Sequence, residues 1–277
     1  MVDHSLYAQS VVDHAVWLAR ASGRSIDVVH VVDPLDPAAV HAGMAGLAVG
    51  GPGIVRDIHH SDEKLEQLKA DAQLLVDRMT TRIAAGFGGV VLGRVIVGGL
   101  RHAVAELQSD ADIIVLGKRG ATADFVGLTL GSTLRTVVGV AQVPLLIAQR
   151  VFRDIAGWVV AVGDDFGISR PLASLLSTSI LPTMPCEVVH VGECDELLKN
   201  HLEVVNRQLL DHGHASTIAM LEGQPVRVLA EQLASEETRL LAIGRFGRAR
   251  LLPQLFGDTV ANDLTRASLG PVLVLAP

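Results

Sequence analysis

Aromatic side chains are scarce in this chain: 3% of 277 residues, against 49% hydrophobic residues in all. The apolar mass is therefore Ala, Val, Leu and Ile, which suits stacked layers of helix and sheet. An excess of positive charge is also lacking, since the formal net charge is −7. That excludes a nucleic-acid binder working through a broad basic surface, because nothing neutralises many phosphates. Charged residues make up only 19% of a hydrophobic chain, which excludes disorder as the main state. Cysteine is limited to Cys186 and Cys194, too few for a disulfide scaffold and not spaced as C-x-x-C. They read as reduced thiols of a cytoplasmic protein. Met1-Val2-Asp3-His4-Ser5 is polar, with no basic leader region. No apolar run reaches the ~18–20 residues of a membrane helix; Gly43–Val55 is broken by five glycines and a proline. The expectation is a protein with no membrane and no nucleic-acid partner.

Several catalytic signatures are missing too. There is no Gly-x-Ser-x-Gly elbow, no Walker lysine motif, no Gly-x-Gly-x-x-Gly and no His-Glu-x-x-His. The histidine groupings His59-His60 and His212-x-His214, the latter beside Asp211, lack a full ligand set. They read as solvated loop histidines, and no metal site is expected. Asp164-Asp165 reads equally as a pair for a metal-bound phosphate or as a helix-entry cap.

What the chain has is itself, twice. Asp-Val-Val-His-Val-Val (27–32) recurs as Glu-Val-Val-His-Val-Gly (187–192), and Ile-Val-Leu-Gly-Lys-Arg-Gly (114–120) as Leu-Ala-Ile-Gly-Arg-Phe-Gly (241–247). Leu-Gly-Ser-Thr (130–133) recurs as Phe-Gly-Asp-Thr (256–259), and Val-Pro-Leu-Leu-Ile-Ala (143–148) as Gly-Pro-Val-Leu-Val-Leu (270–275). Four landmarks in one order indicate two copies of one unit. The expected domains are residues 1–150 and 155–277, with the boundary near Arg150–Gly157.

Each unit alternates Val/Ile/Leu runs with helix-period segments, the mark of a parallel sheet covered on both faces. In the second unit the strands are Trp158–Val162, Glu187–Val191, Thr217–Leu221, Leu240–Ile243 and Val272–Leu275. Helices are predicted at Ser169–Ser179, with Pro171 in the first turn, and at Asp195–His212, Pro225–Ser235 and Val260–Ala267. The first unit is enlarged over 34–84. His30 to Gly98 spans 68 positions and His190 to Gly223 only 33. The extra residues form a Gly/Ala-rich loop (Pro34–Val55) and a longer helix with Ser61 as N-cap. Leu65, Leu68, Ala72, Leu75, Val76, Met79 and Ile83 form its apolar stripe, read as a core face or a partner groove. His30 and His190 stand at matching strand positions, which predicts a shared packing or hydrogen-bonding role.

Ligands of open parallel sheets bind at the carboxyl ends of the strands. There the chain reads Gly117-Lys118-Arg119-Gly120, ten residues, then Gly131-Ser132-Thr133; the copy reads Gly244-Arg245-Phe246-Gly247, nine residues, then Gly257-Asp258-Thr259. The first two glycines permit a tight turn and a close approach to a ligand. The third opens the next helix, whose free N–H groups favour phosphate. Asp258 sets a negative charge where a phosphate would lie, an electrostatic penalty that Arg245, Arg248 and Arg250 would partly offset.

With these motifs, a Val-Asp-x-Ser start and a closing Val-Pro-x-Leu-type strand, the chain resembles the universal stress protein family in its tandem two-domain form. The family signature is Gly-x2-Gly-x9-Gly-Ser/Thr. The resemblance implies two doubly wound α/β domains, Rossmann-like and close to the adenine-nucleotide alpha-hydrolase layout, with strand order 3-2-1-4-5. It implies an adenine nucleotide, ATP or AMP, held by Asp3, Val31, Gly117, Gly120, Gly131, Ser132 and Thr133 in the first unit. In the second it implies Asp164, Val191, Gly244, Gly247, Gly257 and Thr259. No metal is implied beyond nucleotide-associated magnesium. The first unit departs from the signature by its x10 spacing, the second by Asp258 and Phe246. The implied function is a non-enzymatic stress-response module. Two other readings stay open: a nucleotide-free assembly scaffold in which the loops are structural, and a weak ATPase, for which no base, nucleophile or metal set stands out. The final strands, Val143–Ala148 and Val272–Leu275, are edge candidates that in the family pair domains across a two-fold. The two units are expected to pair internally, and two chains to dimerise.

One shortage follows from aligning the copies. Trp158–Gly163 precede Asp164, whereas only Met1 and Val2 precede Asp3. The first strand of the first unit is thus truncated or absent. Because that strand is central in the implied order, two rows of backbone groups would lack partners. Residues ahead of Met1, or from elsewhere, are expected to fill the gap.

Overall fold

The computed structural model describes residues 1–34, 57–118, 132–164, 166–234, 238–244 and 270–276, without the side chains of 57–62, 132, 133, 135 and 234. The strands are β1 (Ile26–Val32), β2 (Val91–Val97), β3 (Ile114–Gly117), β4 (Leu145–Ala148), β5 (Gly157–Ala161), β6 (Cys186–Val191), β7 (Ser216–Leu221), β8 (Arg239–Gly244) and β9 (Val272–Leu275). The helices are α1 (Ala8–Ser22), α2 (Asp57–Ala84), α3 (Leu100–Leu107), α4 (Ser132–Val140), α5 (Ser169–Ser177), α6 (Glu196–Asp211) and α7 (Pro225–Ala234).

The second half is a five-stranded parallel sheet in the order β7-β6-β5-β8-β9, which is 3-2-1-4-5 within that half. Its central strand, Gly-Trp-Val-Val-Ala, alternates between two cores. Trp158 and Val160 face the layer of α5 and α6, where Leu172, Leu175, Leu202 and Val205 are buried. Val159 faces the layer of α7, with Leu229 and Leu233. Burial on both faces explains why the strand is an unbroken apolar run. Asp195 caps α6 through its carboxylate, which accepts from the Leu198 N–H at 2.8 Å. Pro171 lies in the first turn of α5, where its missing N–H costs no helical bond.

The first half divides. β1 and β2 form a separate two-stranded parallel sheet, and β3 and β4 form a second parallel pair. β4 then pairs antiparallel with β9, so that β3 and β4 extend the second half's sheet to seven strands. The two closing strands are thus not free edges; each supplies the other's missing ladder, and all eight of their residues are buried. The internal pairing expected of the two units is what this chain does.

Two elements differ from expectation. The long helix begins at Asp57, so Ser61 lies inside its first turns. A cap satisfies one N–H, whereas each further helical residue adds a backbone bond, and the helix runs back past the serine. Its stripe is a core face in the C-terminal half, where Ala72, Leu75, Val76 and Ile83 are buried. β2 crosses this helix closely: a Cβ at Gly93 would stand 2.6 Å from Val76 Cγ1 and 2.8 Å from Thr80 Cγ2. His214, expected in solvent, is buried against Trp158, ring centroids 5.1 Å apart, and its Nδ1 lies 3.2 Å from the Met184 carbonyl. Burial holds its pKa below the usual histidine value. The imidazole body is apolar enough to fill the space beside the indole once one nitrogen has a partner. The expected helix Val260–Ala267 lies outside the described residues.

Candidate functional site at the carboxyl ends of the strands

The site begins with the two histidines. His30 Nδ1 lies 2.7 Å from the Val2 carbonyl, and His190 Nδ1 lies 2.9 Å from the Val162 carbonyl. Each spans 28 residues, from the second-strand position to the end of the segment beside it. In both, the ring N–H donates to a carbonyl that leaves the central strand position. The role anticipated from the repeat is a hydrogen bond that ties two strand ends together. His190 is buried and its Nε2 also meets the Glu193 carbonyl at 3.2 Å; His30 is half-buried with His4 edge-on at 5.6 Å.

Backbone bonds set the same register. Val2 N–H donates to Val29 O at 2.8 Å, as Val162 N–H donates to Val189 O at 2.9 Å. Val2 packs in the same core as Val162, and Met1 packs against the opposite core, as Ala161 does. Val2 therefore answers to Val162 and Met1 to Ala161. Asp3 then stands where Gly163 stands, and Asp164 is one residue further along. The two acidic residues are not structural equivalents. Asp3 Oδ1 accepts the Ser5 N–H at 3.0 Å, closing the turn into α1. Asp164 instead faces His190, with 3.9 Å between Oδ1 and Nε2.

Of the expected nucleotide contacts, the structure describes Asp3, Val31, Gly117, Asp164, Val191 and Gly244. In the second half, Ala161 pairs with Val189 and with Ile243, so the ends of β5, β6 and β8 emerge side by side. That brings the segments of Asp164, Val191 and Gly244 to one crevice. Ile168, at the entrance of α5, closes one side, 3.9 Å from where a Cβ of Gly244 would be. In the first half, Val31 lies in β1, Gly117 ends β3, and α4 opens at Ser132, with Thr133 in its first turn. The helix start expected after the third glycine is therefore present, and N–H groups at such a terminus lack intrahelical partners. Gly120, Gly131, Gly247, Gly257 and Thr259, with Asp165, Arg245, Phe246 and Asp258, lie outside the described residues.

The described residues of the first half also enclose a cleft that the motifs did not announce. Between β1 and β3 runs a cleft of about 710 Å³, lined by Met1, Val12, Leu18, Val28, Ile114 and Val115 among others. It occupies the position that β5 fills in the second half. Five residues build β5, and Met1 answers to the last of them, so Gly157–Val160 have no counterpart among the described residues.

Comparison with known proteins agrees with this architecture. The sequence model of the universal stress protein family matches residues 1–149. A universal stress protein of Synechocystis is 27% identical over 279 residues, covering 98% of this chain and 96% of that protein. The crystal structure of a universal stress protein from Archaeoglobus fulgidus superimposes with a TM-score of 0.67 at 19% identity, covering 99% of this chain and 96% of the other. A universal stress protein structure from Pseudomonas aeruginosa gives 0.53 at 16% identity, covering 92% and 93%. With its repeated strand ends, its 3-2-1-4-5 sheet and a family match over more than half its length, the chain belongs to the universal stress protein family.

Proposed function

We propose that the protein is a non-enzymatic stress-response module that binds an adenine nucleotide, ATP or AMP, at the carboxyl ends of the first half's strands. The observation that carries this reading is the start of α4 at Ser132, after the Gly-x2-Gly-x10-Gly loop and at the same sheet end as Val31 and Gly117. Free N–H groups and two hydroxyl side chains at a helix start suit phosphate oxygens. Asp3 and Val31 would meet the ribose and base, Gly117, Gly120 and Gly131 the backbone approach to the phosphates. The second half is the weaker site, because Asp258 replaces the hydroxyl. Magnesium would come with the nucleotide, and the setting is cytoplasmic.

Mass spectrometry of the small molecules released on denaturing protein purified without added nucleotide tests this directly. Stoichiometric ATP or AMP is the expected release, with a thermal shift that Gly131→Asp abolishes. An empty protein that shows no shift with millimolar ATP would sink the reading. Steady ADP production lost in Gly131→Asp would replace it with an ATPase.

A second reading has its own observation. The antiparallel β4–β9 ladder fuses the halves into one seven-stranded sheet, and the outer strand β7 exposes Ile218 and Met220. An assembly scaffold that forms a homodimer through such an edge fits these facts. Its mark would be a concentration-dependent dimer in ultracentrifugation that Met220→Lys dissociates.

A further inference from the structure

At the amino ends of the second half's strands, opposite the crevice, two helices end on one small cavity. α5 finishes at Ser177 and α6 at Asp211, and the cavity between their ends measures about 70 Å³. Ser179 and Thr183 line it beyond α5, and His212 and His214 line it beyond α6, among apolar side chains such as Leu175 and Leu181. Gly213 turns the chain at φ 84°, so the histidines on either side of it reach the same cavity. Each imidazole is tied by the same nitrogen. His212 Nδ1 lies 2.8 Å from the Gln208 carbonyl. His214 Nδ1 lies 3.2 Å from the Met184 carbonyl and 3.4 Å from the Met184 amide nitrogen, and the shorter contact has Nδ1–H donating. Each ring then keeps its lone pair on Nε2, which has no hydrogen-bond partner among the described residues. An imidazole whose Nδ1–H is held by a backbone carbonyl is the form that binds metal through Nε2.

Packing alone does not ask for this chemistry. Phe87 is buried three residues after the end of α2, as His214 is buried three residues after the end of α6. The first half fills the place with a hydrocarbon ring; the second fills it with a ring that carries nitrogen and sets another beside it. The surroundings favour a cation as well. The carboxyl ends of two helices bring partial negative charge, and neither lysine nor arginine is among the described residues that line the cavity.

We propose that this cavity is a site for one divalent transition-metal ion of the copper(II) and zinc class, bound by Nε2 of His212 and Nε2 of His214. Among the described residues no third histidine, cysteine or carboxylate joins them. The remaining positions therefore fall to oxygen donors, the Ser179 and Thr183 hydroxyls or water. Neutral imidazoles select copper and zinc over magnesium and calcium, which prefer carboxylate and carbonyl oxygens. The site stands apart from the glycine loops and does not rest on the nucleotide reading.

Copper(II) chloride is the first probe, read by tryptophan fluorescence. Trp158 lies beside His214, ring centroids 5.1 Å apart, and a copper(II) ion that close quenches an indole. Trp17→Phe leaves Trp158 as the one tryptophan. One equivalent of copper at micromolar concentration should quench most of its emission. His212 is exposed, so His212→Gln removes a donor without disturbing the core and should raise the copper midpoint about tenfold. His214→Phe, which copies Phe87, should do the same with the core still filled. Quenching that survives in both variants, or none with excess copper, would overturn the proposal. Zinc sulfate added to the unaltered chain is an independent check. The melting temperature should rise there and not in His212→Gln; an equal rise in the two, or no rise in either, would also overturn it.

Discussion

The two halves share a plan and differ at one strand. In the second half β5 joins β6 and β8, and a single sheet results. In the first half the same position holds two residues and a cleft, and the sheet falls into two pieces. The pieces are held together because α1 packs over β1 and over β3 and β4, and β4 borrows a partner, β9, from the other half. Among the described residues the facing edges of β1 and β3 share no ladder, whereas the corresponding edges of β6 and β8 are both paired with β5. Local opening should therefore begin at β1 and β2.

The largest expected effect breaks the stronger half. Trp158 is 1% exposed at the centre of the intact sheet. Trp158→Ala should cost about 3–5 kcal/mol in denaturant melts and should bring the exchange rates of β6 and β8 up to those of β1. A loss under 1 kcal/mol would show that β5 is not what separates the halves.

The next concerns pH and the weaker half. His14 of α1 is fully buried, its Nδ1 2.7 Å from the Ser10 carbonyl, and its ring is edge-on to Phe152 at 4.9 Å. Its Nε2 has no partner among the described residues. Desolvation lowers its pKa from 6.5 to about 4. The folded state thus binds fewer protons than the unfolded state below pH 6.5, and stability falls as pH drops from 6.5 toward 4. The loss is on the order of 3 kcal/mol. Stability measured against pH should flatten over that window in His14→Leu; an unchanged slope would assign the acid sensitivity elsewhere.

A smaller difference compares the two strand-tying histidines. His190 is buried with two carbonyl partners, whereas His30 is half-buried with one. His190→Ala should cost about 2 kcal/mol and His30→Ala about 1. Equal losses would mean that the intact sheet adds nothing to this bond. The smallest effect is at a helix start. α6 has a side-chain cap in Asp195, whereas α1 begins at Tyr7 without one. Asp195→Ala should lower stability by about 1 kcal/mol, and Tyr7→Ser should gain less than that. Chemical denaturation of the two variants decides it.

Much of this was legible in the residues. In the second half the alternation placed all five strands and the helices α5, α6 and α7, because Val/Ile runs and helix-period faces are local patterns that burial follows. Pro171, Asp195, and the glycines 98 and 223, which follow the third strands at φ 150° and 122°, mark boundaries for stereochemical reasons visible in sequence. The register of the strand ends was not legible. Asp3 and Asp164 look equivalent in an alignment, and only the carbonyls of Val2 and Val162, each held by a histidine, show them one residue apart. His214 was misread because solvent exposure depends on Trp158, 56 positions away, and not on its loop-like neighbours.

The sequence by itself determined the family, the two-fold repetition and the α/β class. Each rests on order along the chain, which a linear string carries in full. The tertiary structure alone decided how the two halves meet. Which strand stands beside a closing strand depends on residues more than a hundred positions away, and no local pattern carries that. Here β9 pairs antiparallel with β4, and one seven-stranded sheet runs through both halves.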